Sequence, residues 1–172
     1  MRQSMSVQEW REKSDRICTH LQSLPLFTQA DTILAYFSFR QEPNLSPLFS
    51  HKKHRCGFPR CVEKSMRWHS WEPGEALETG LYGILEPQSK APAIRAEEVD
   101  LLLIPAVASD RRGYRLGYGG GYYDRLLSLP EWAEKPAIAI VFEFAYLPEL
   151  PTDNWDRVLQ GVCTETGYSQ FK

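Results

Sequence analysis

The stretch "GYRLGYGGGYYDRLL" (residues 113–127) gathers the residue types from which an anion site is built. Five of the chain's eleven glycines fall within it, at Gly113, Gly117, Gly119, Gly120 and Gly121, with Arg115 among them and Asp124 at the exit. Glycine tolerates φ > 0 and lets a bulky ligand touch the main chain, so loop N–H groups can converge on one anion. A strand before such a loop and a helix after it add the first-turn N–H groups and the favourable end of a helix dipole. Arg115 stands where a guanidinium could clamp phosphate oxygens through two N–H bonds. Asp124 is placed to hold Mg2+ against those oxygens. Each has a plainer alternative: Asp124 as a carboxylate favoured in a helix first turn, Arg115 as a solvated loop residue. Tyr118, Tyr122 and Tyr123 either stack on a flat ligand or cover the loop. The pattern is not a Walker A loop, since no Gly-Lys-Ser/Thr ends it. Nor is it the dinucleotide fingerprint: Gly117 and Gly119 begin that pattern, but Tyr122 stands at its third glycine.

The elements that must position this loop follow from the hydrophobic pattern. Residues 99–109, "VDLLLIPAVAS", are a continuous aliphatic run of the kind found in parallel strands covered on both faces. After the loop, "YYDRLLSL" is a helix. Ser6 and Glu9 form a capping-box pattern. Val7, Trp10, Ile17, Leu21 and Leu24 then recur at helical spacing, which predicts an amphipathic helix over 7–23 ended by Pro25. Buried strands are predicted over 31–39 and 135–144, with shorter ones at "RCGFP" and "RVLQGVCTE" and a hairpin-like strand over 65–71. "LSPLFSHK" reads as a short helix, "GLYGILEP" as a loop or short strand, and "QEPN" and "LPELPTDNWD" as turn and loop. Strands alternating with helices predict an α/β fold: one three-layer domain over 1–172, with a mainly parallel central sheet flanked by helices.

A formal net charge of −2 on 172 residues, 42% of them hydrophobic and 24% charged, is ordinary for a soluble globular chain. It leaves no overall electrostatic footprint for nucleic acid, so an anionic ligand must be caught locally. The short basic cluster "HKKHR" (residues 51–55) reads as a solvated helix end. No run approaches the roughly 18 apolar residues of a membrane span. "MRQSMSVQEW" has no apolar signal-peptide core, and a cytoplasmic protein is expected. Its four cysteines should then be reduced, with Cys18 and Cys163 packed in apolar surroundings. In "HKKHRCGFPRC" (residues 51–61) the spacing H-x2-H-x-C-x4-C matches none of the common structural zinc frames. A helix end running into a buried strand is the preferred reading there.

Beyond what spacing gives, "RLGYGGGYYDRLL" following "LLLIPAVASDRRGY" resembles the signature of the 5-formyltetrahydrofolate cyclo-ligases, also called methenyltetrahydrofolate synthetases. Weaker pieces appear in the family's order: "AYFSFRQEPN", "FPRC" with "SMRWHSW", "YGILEP", and "LPELPTDNWD" with "VCTE". The resemblance implies a three-layer α/β fold of the NagB/RpiA/CoA transferase-like type. It also implies conversion of 5-formyltetrahydrofolate and ATP, with Mg2+, into 5,10-methenyltetrahydrofolate, ADP and phosphate. The partners implied are a folate and ATP, with no nucleic acid and no membrane, in a monomer or weak dimer. Carried over by position, Arg115, Leu116, Gly117, Tyr118, Gly119, Gly120, Gly121, Tyr122 and Tyr123 form the ATP phosphate loop. Of these, Arg115, Tyr122 and Tyr123 act in catalysis, and Gly119, Gly120, Gly121 and Tyr122 also touch the folate. Asp124 and Asp156 hold Mg2+. Phe37 and Glu42 contact folate, Glu42 by accepting hydrogen bonds from the pterin amino and ring N–H groups; its alternative is a solvated turn residue. Met66, Trp68 and Tyr82 wall the folate pocket, or else simply pack in the core.

Two departures from the family's pattern stand out. Members usually begin with an additional basic helix whose Lys and Arg reach the ATP, whereas "MRQSMSVQEW" retains only Arg2 there. The expectation is a shortened N-terminus that weakens nucleotide binding, and, as the alternative to an active enzyme, a non-catalytic folate- or nucleotide-binding relative. The position before Asp156, often His in the family, is Trp155, which removes a donor beside the metal ligand.

Overall fold

The computed structural model describes residues 2–50 and 52–172. Four α-helices occur among them: α1 (Val7–Gln22), α2 (Pro25–Thr28), α3 (Tyr122–Ser128) and α4 (Pro130–Ala133). The strands before the glycine loop are β1 (Thr32–Leu34), β2 (Arg55–Val62), β3 (Ser65–Ser70), β4 (Leu77–Thr79), β5 (Leu85–Pro87), β6 (Ala93–Ile94), β7 (Leu101–Pro105) and β8 (Ala108–Asp110). Then come β9 (Arg115–Leu116), β10 (Ala137–Ile140), β11 (Tyr146–Leu147), β12 (Gly161–Thr164) and β13 (Gly167–Gln170).

The main sheet runs β13-β12-β10-β7-β1-β2-β3-β6. Five adjacent strands, β12, β10, β7, β1 and β2, are parallel to one another, and the antiparallel pairs lie towards the two edges. Alternation along β7 shows the layers. Leu101 and Leu103 pack with Ile17 and Leu21 of α1 and Phe27 of α2. Leu102 and Ile104 face the other way, against Leu126 and Leu127 of α3 and Trp132 of α4. Each fully buried aliphatic side chain contributes about 1.5–3 kcal/mol, so a strand apolar on both faces has no stable place except between two helical layers.

The first helix matches its pattern, with the Ser6 hydroxyl accepting the Glu9 N–H at 3.1 Å. Pro25 does more than stop it, since it opens α2 at a position where a missing N–H costs nothing. Three expected elements differ in ways that matter to function. The strand expected over 31–39 leaves the ladder after Leu34, and the chain turns through Arg40 and Gln41, both left-handed with φ of 50° and 54°. The run over 99–109 is two strands. Pro105 has no N–H with which to extend the ladder, and after it the Val107 N–H donates to the Leu116 carbonyl at 2.8 Å. That begins the β8–β9 hairpin, part of a separate sheet ordered β11-β8-β9. The strand over 135–144 likewise stops at Ile140. The short helix expected in "LSPLFSHK" is a 3-10 turn over Ser46–Leu48. Cys18 and Cys163 are buried as expected, and burial pushes both thiols up to about 12. His51, which begins both the basic cluster and the zinc-like spacing, lies outside the described residues.

Candidate active site

Because β1, β2, β7 and β10 are parallel, the segments that follow them emerge at one edge of the sheet. Ligands of open α/β sheets bind outside this carboxyl edge. Here it carries residues 35–44, the β2–β3 turn, the β8–β9 hairpin with its glycine loop, and the chain after β10.

Arg115 begins β9 and points back under the loop. Its Nη2 donates to Asp124 Oδ1 at 3.1 Å, and its guanidinium lies 5.1 Å from the centre of the Tyr123 ring. The Arg115 side chain is only 5% exposed, against 34% for Asp124. Burial pushes its pKa down, opposed by the negative fields of Asp124, Tyr123 and Asp156. Its Nε is also buried and meets no acceptor among the described residues. A Cβ at Gly117 would stand 2.9 Å from Arg115 Nη1, so a side chain there would push the guanidinium off its present position. Gly121 enters α3 with a φ of 70°, a conformation that strains any residue with a Cβ. The helix expected over "YYDRLLSL" is α3, and at seven residues it is short, so much of any anion's charge would fall to Arg115 and the loop N–H groups. The loop is tied to the β2–β3 turn through Arg125, whose Nη1 donates to the Gly120 carbonyl at 2.9 Å and whose Nε donates to the Lys64 carbonyl at 2.7 Å.

The hairpin beneath the loop is fixed by Asp110, a residue that pattern reading did not single out. Its carboxylate is fully buried and accepts from the N–H groups of Arg112, Tyr114 and Leu150 and from the Arg112 side chain, all at 2.8–3.0 Å. Burial alone would raise its pKa, but these donors outweigh burial and hold it below the ordinary value. The Leu150 bond joins the hairpin to the proline-rich loop, and the Leu159 N–H donates to the Gly113 carbonyl at 2.9 Å beyond that loop. Asp156 therefore rides on a segment fastened at both ends to the hairpin that carries Arg115. Asp156 itself accepts the Asp153 N–H at 2.7 Å.

Glu42 lies across the edge from this hairpin. It is 4% exposed, and among the described residues its carboxylate accepts one hydrogen bond, from the Phe39 N–H at 3.0 Å. Burial raises it to about 7, with that bond and the Arg2 charge pulling the other way. Arg2 joins the two sides. Its guanidinium donates to the Arg40 carbonyl at 3.0 Å and to the Tyr118 hydroxyl, and packs over the Tyr118 ring. The Tyr123 hydroxyl, pushed up by burial, is within electrostatic reach of Arg115 and Glu42, so Arg115, Tyr123, Glu42 and Arg2 are electrostatic neighbours.

The structure does not gather every predicted residue into one pocket. Tyr123 lies beside Trp68, ring centres 6.4 Å apart, and Trp68 beside Trp132 at 6.3 Å. Met66 and Trp68 also line a groove of about 560 Å³ with Trp132 and Ile94. Phe37 belongs to the opposite face, stacked on Phe58 at 4.2 Å and edge-on to Trp71. The aromatic walls are therefore split between the two faces of the sheet. Tyr122 turns outward, donating to the Glu63 carbonyl at 3.0 Å and pairing with Tyr82, which is exposed and left-handed at a φ of 63°. Leu116 and Tyr118 are exposed beside the loop, and Gly119 and Gly120 form its open tip.

The donor set suits a hard cation shared with a phosphate chain. Mg2+ is usually held by one or two carboxylates, with water and phosphate oxygens completing the octahedron. Asp124 and Asp156, the two carboxylates whose fields reach Arg115, supply that much. No group of three or more His, Cys, Asp or Glu forms a protein-only metal cage among the described residues.

Comparison with known proteins gives this arrangement its context. The chain is 27% identical over 175 residues to the 5-formyltetrahydrofolate cyclo-ligase of Haemophilus influenzae, covering 91% of this chain and 87% of the relative. With the Escherichia coli K12 enzyme of the same name it shares 25% over 170 residues, covering 95% and 93%. The NMR structure of Aquifex aeolicus 5,10-methenyltetrahydrofolate synthetase matches with a TM-score of 0.87 at 30% identity, covering 99% of this chain and 87% of that one. Matched over residues 1–165 by the profile of the 5-formyltetrahydrofolate cyclo-ligase family, the chain belongs to that family.

Proposed function

We propose that this chain, acting as one unit over residues 1–172, converts 5-formyltetrahydrofolate and ATP into 5,10-methenyltetrahydrofolate, ADP and phosphate. The observation that carries the reading is Arg115: a buried guanidinium beneath a glycine loop, with a donor still free. In the proposed sequence the formyl oxygen attacks the γ-phosphorus and ADP leaves. N10 then attacks the formyl carbon and loses its proton, and the C–O bond breaks to release phosphate carrying the former formyl oxygen. Phosphoryl transfer of this kind depends mainly on positioning and charge stabilisation. Arg115 and the N–H groups of residues 117–121 would hold the phosphates. Tyr123 would border the reacting groups, and Tyr118 the loop's outer side. Asp124 and Asp156 would hold Mg2+, which when bound neutralises phosphate charge.

Glu42 would receive the pterin amino and ring N–H groups, the donors that its one hydrogen bond leaves room for. Met66, Trp68 and Tyr82 would flank the folate, and Phe37 would back the Glu42 loop from the other face. The test is spectroscopic. Protein, 5-formyltetrahydrofolate, ATP and Mg2+ are mixed and the near-UV band of the methenyl product is followed, with controls lacking ATP or Mg2+. A rise that needs both supports the reading; no rise in a protein that still binds folate supports a non-catalytic binding role. Asp124→Ala should lower the Mg2+-dependent rate by at least about 100-fold with the fold intact, and a wild-type rate would remove Asp124 from the metal site.

A further inference from the structure

We propose that Arg115 is a placeholder for the metal ion: without nucleotide its guanidinium occupies Asp124, and the carboxylates take a cation only once a phosphate chain has drawn Arg115 away. This rests on the reading of the loop as a nucleotide phosphate site. A guanidinium that is 5% exposed cannot stand without a counter-charge, and Asp124 supplies it at 3.1 Å, with the field of Asp156 behind. The arrangement is incomplete, because Nε is buried without an acceptor among the described residues. A side chain with one bond to a carboxylate and a buried donor unused is set up for a second anionic partner that offers several oxygens.

The consequence is an order of events. A divalent ion that reached Asp124 first would displace Arg115 and strand its charge in a buried site, which is costly. A phosphate chain that arrives with the ion, or before it, gives Arg115 new acceptors and leaves Asp124 and Asp156 to the metal. Metal and phosphate binding are then coupled through one side chain, and the coupling is reciprocal. The device keeps the carboxylates closed to stray cations while the loop is empty.

Two binding measurements test this without turnover. The first is Mn2+ binding by electron paramagnetic resonance with no nucleotide present. Arg115→Gln should bind Mn2+ at least about tenfold more tightly than wild type. Arg115→Lys, which keeps a positive charge on the side chain that faces Asp124, should stay closer to wild type than Arg115→Gln does. The second is ATP binding by calorimetry in EDTA with the near-isosteric and partly exposed Asp124→Asn and Asp156→Asn, so it stands even if Arg115→Gln fails to fold. Both variants relieve repulsion of the phosphates, but only Asp124→Asn also releases a bond to Arg115, so it should bind metal-free ATP several-fold more tightly than Asp156→Asn does, and equal gains in the two would overturn the placeholder. Equal Mn2+ affinities in wild type and Arg115→Gln, or no gain in metal-free ATP binding in Asp124→Asn, would overturn the placeholder. Loss of ATP binding by the wild type even with Mg2+ would overturn the phosphate-loop reading itself, and the placeholder with it.

Discussion

Asp110 and Glu42 are both carboxylates shut away from water beyond the strands of the main sheet, and they differ in almost everything else. Asp110 accepts three backbone N–H groups and the Arg112 side chain, and is held below the ordinary carboxyl range. Glu42 accepts one N–H and is raised to about 7 by burial. The first region is finished and the second is waiting. A buried charge with all its partners is scaffold, here joining the Arg115 hairpin to the loop that carries Asp156. A buried charge short of partners costs stability, and such a cost persists where a ligand brings the missing donors.

The largest effect expected from this contrast is at Asp110. Asp110→Ala would leave Arg112 uncompensated and three N–H groups without acceptors, a loss of about 3–5 kcal/mol in urea denaturation. Asp110→Asn keeps an acceptor and should lose about 1–3 kcal/mol. The pH dependence has a definite sign. A lowered carboxyl stabilises the fold above its unfolded value near pH 4, and the contribution disappears as pH falls through the lowered folded value. Acid unfolding of Asp110→Asn should therefore be flatter than that of wild type. A loss below about 1 kcal/mol in Asp110→Ala would mean the clamp is not a clamp.

Glu42 carries the opposite sign. With its carboxyl raised to about 7, the folded protein binds the proton more tightly than the unfolded chain does. That stability is complete below about pH 4 and lost as pH rises through 7. Glu42→Gln has no charge to bury, so it should equal wild type near pH 4 and exceed it at pH 8 by as much as about 3 kcal/mol in melting experiments. Folate affinity should fall at least about tenfold in the same variant, and in the wild type it should strengthen as pH rises from 6 to 8. A variant that gained stability and kept its affinity would separate Glu42 from the substrate.

The same contrast explains what could be read from the chain before the structure. The glycine loop and α3 were legible because glycine and apolar periodicity are local signals, and α1 because Val7, Trp10, Ile17 and Leu21 share one helical face. The break after Pro105 was not, since "LLLIPAVAS" is aliphatic throughout and the β8–β11 pairing is non-local. Asp110 looked like any turn aspartate because its decisive partner, the Leu150 N–H, lies 40 residues away. Arg115, Asp124 and Glu42 were legible as types, whereas the split of Phe37 and Trp68 between the two faces depends on which way each side chain leaves the sheet edge.

The smallest expected effect tests the contrast at a neutral group. Trp68 is 3% exposed, and its indole N–H is buried without an acceptor among the described residues. Ordinarily a Trp-to-Phe change in a core costs stability through lost volume. Here the variant would also remove an unsatisfied donor, whose desolvation penalty is about 1–3 kcal/mol. The two terms oppose each other, so Trp68→Phe should change stability by less than about 1 kcal/mol. If a starved donor marks the substrate side, as Glu42 does for acceptors, the same variant should weaken folate binding several-fold while ATP binding holds. If the indole N–H is unpaired only because Tyr123 and Trp132 crowd it, folate affinity will not move, and the contrast between finished and waiting groups would hold for charges alone.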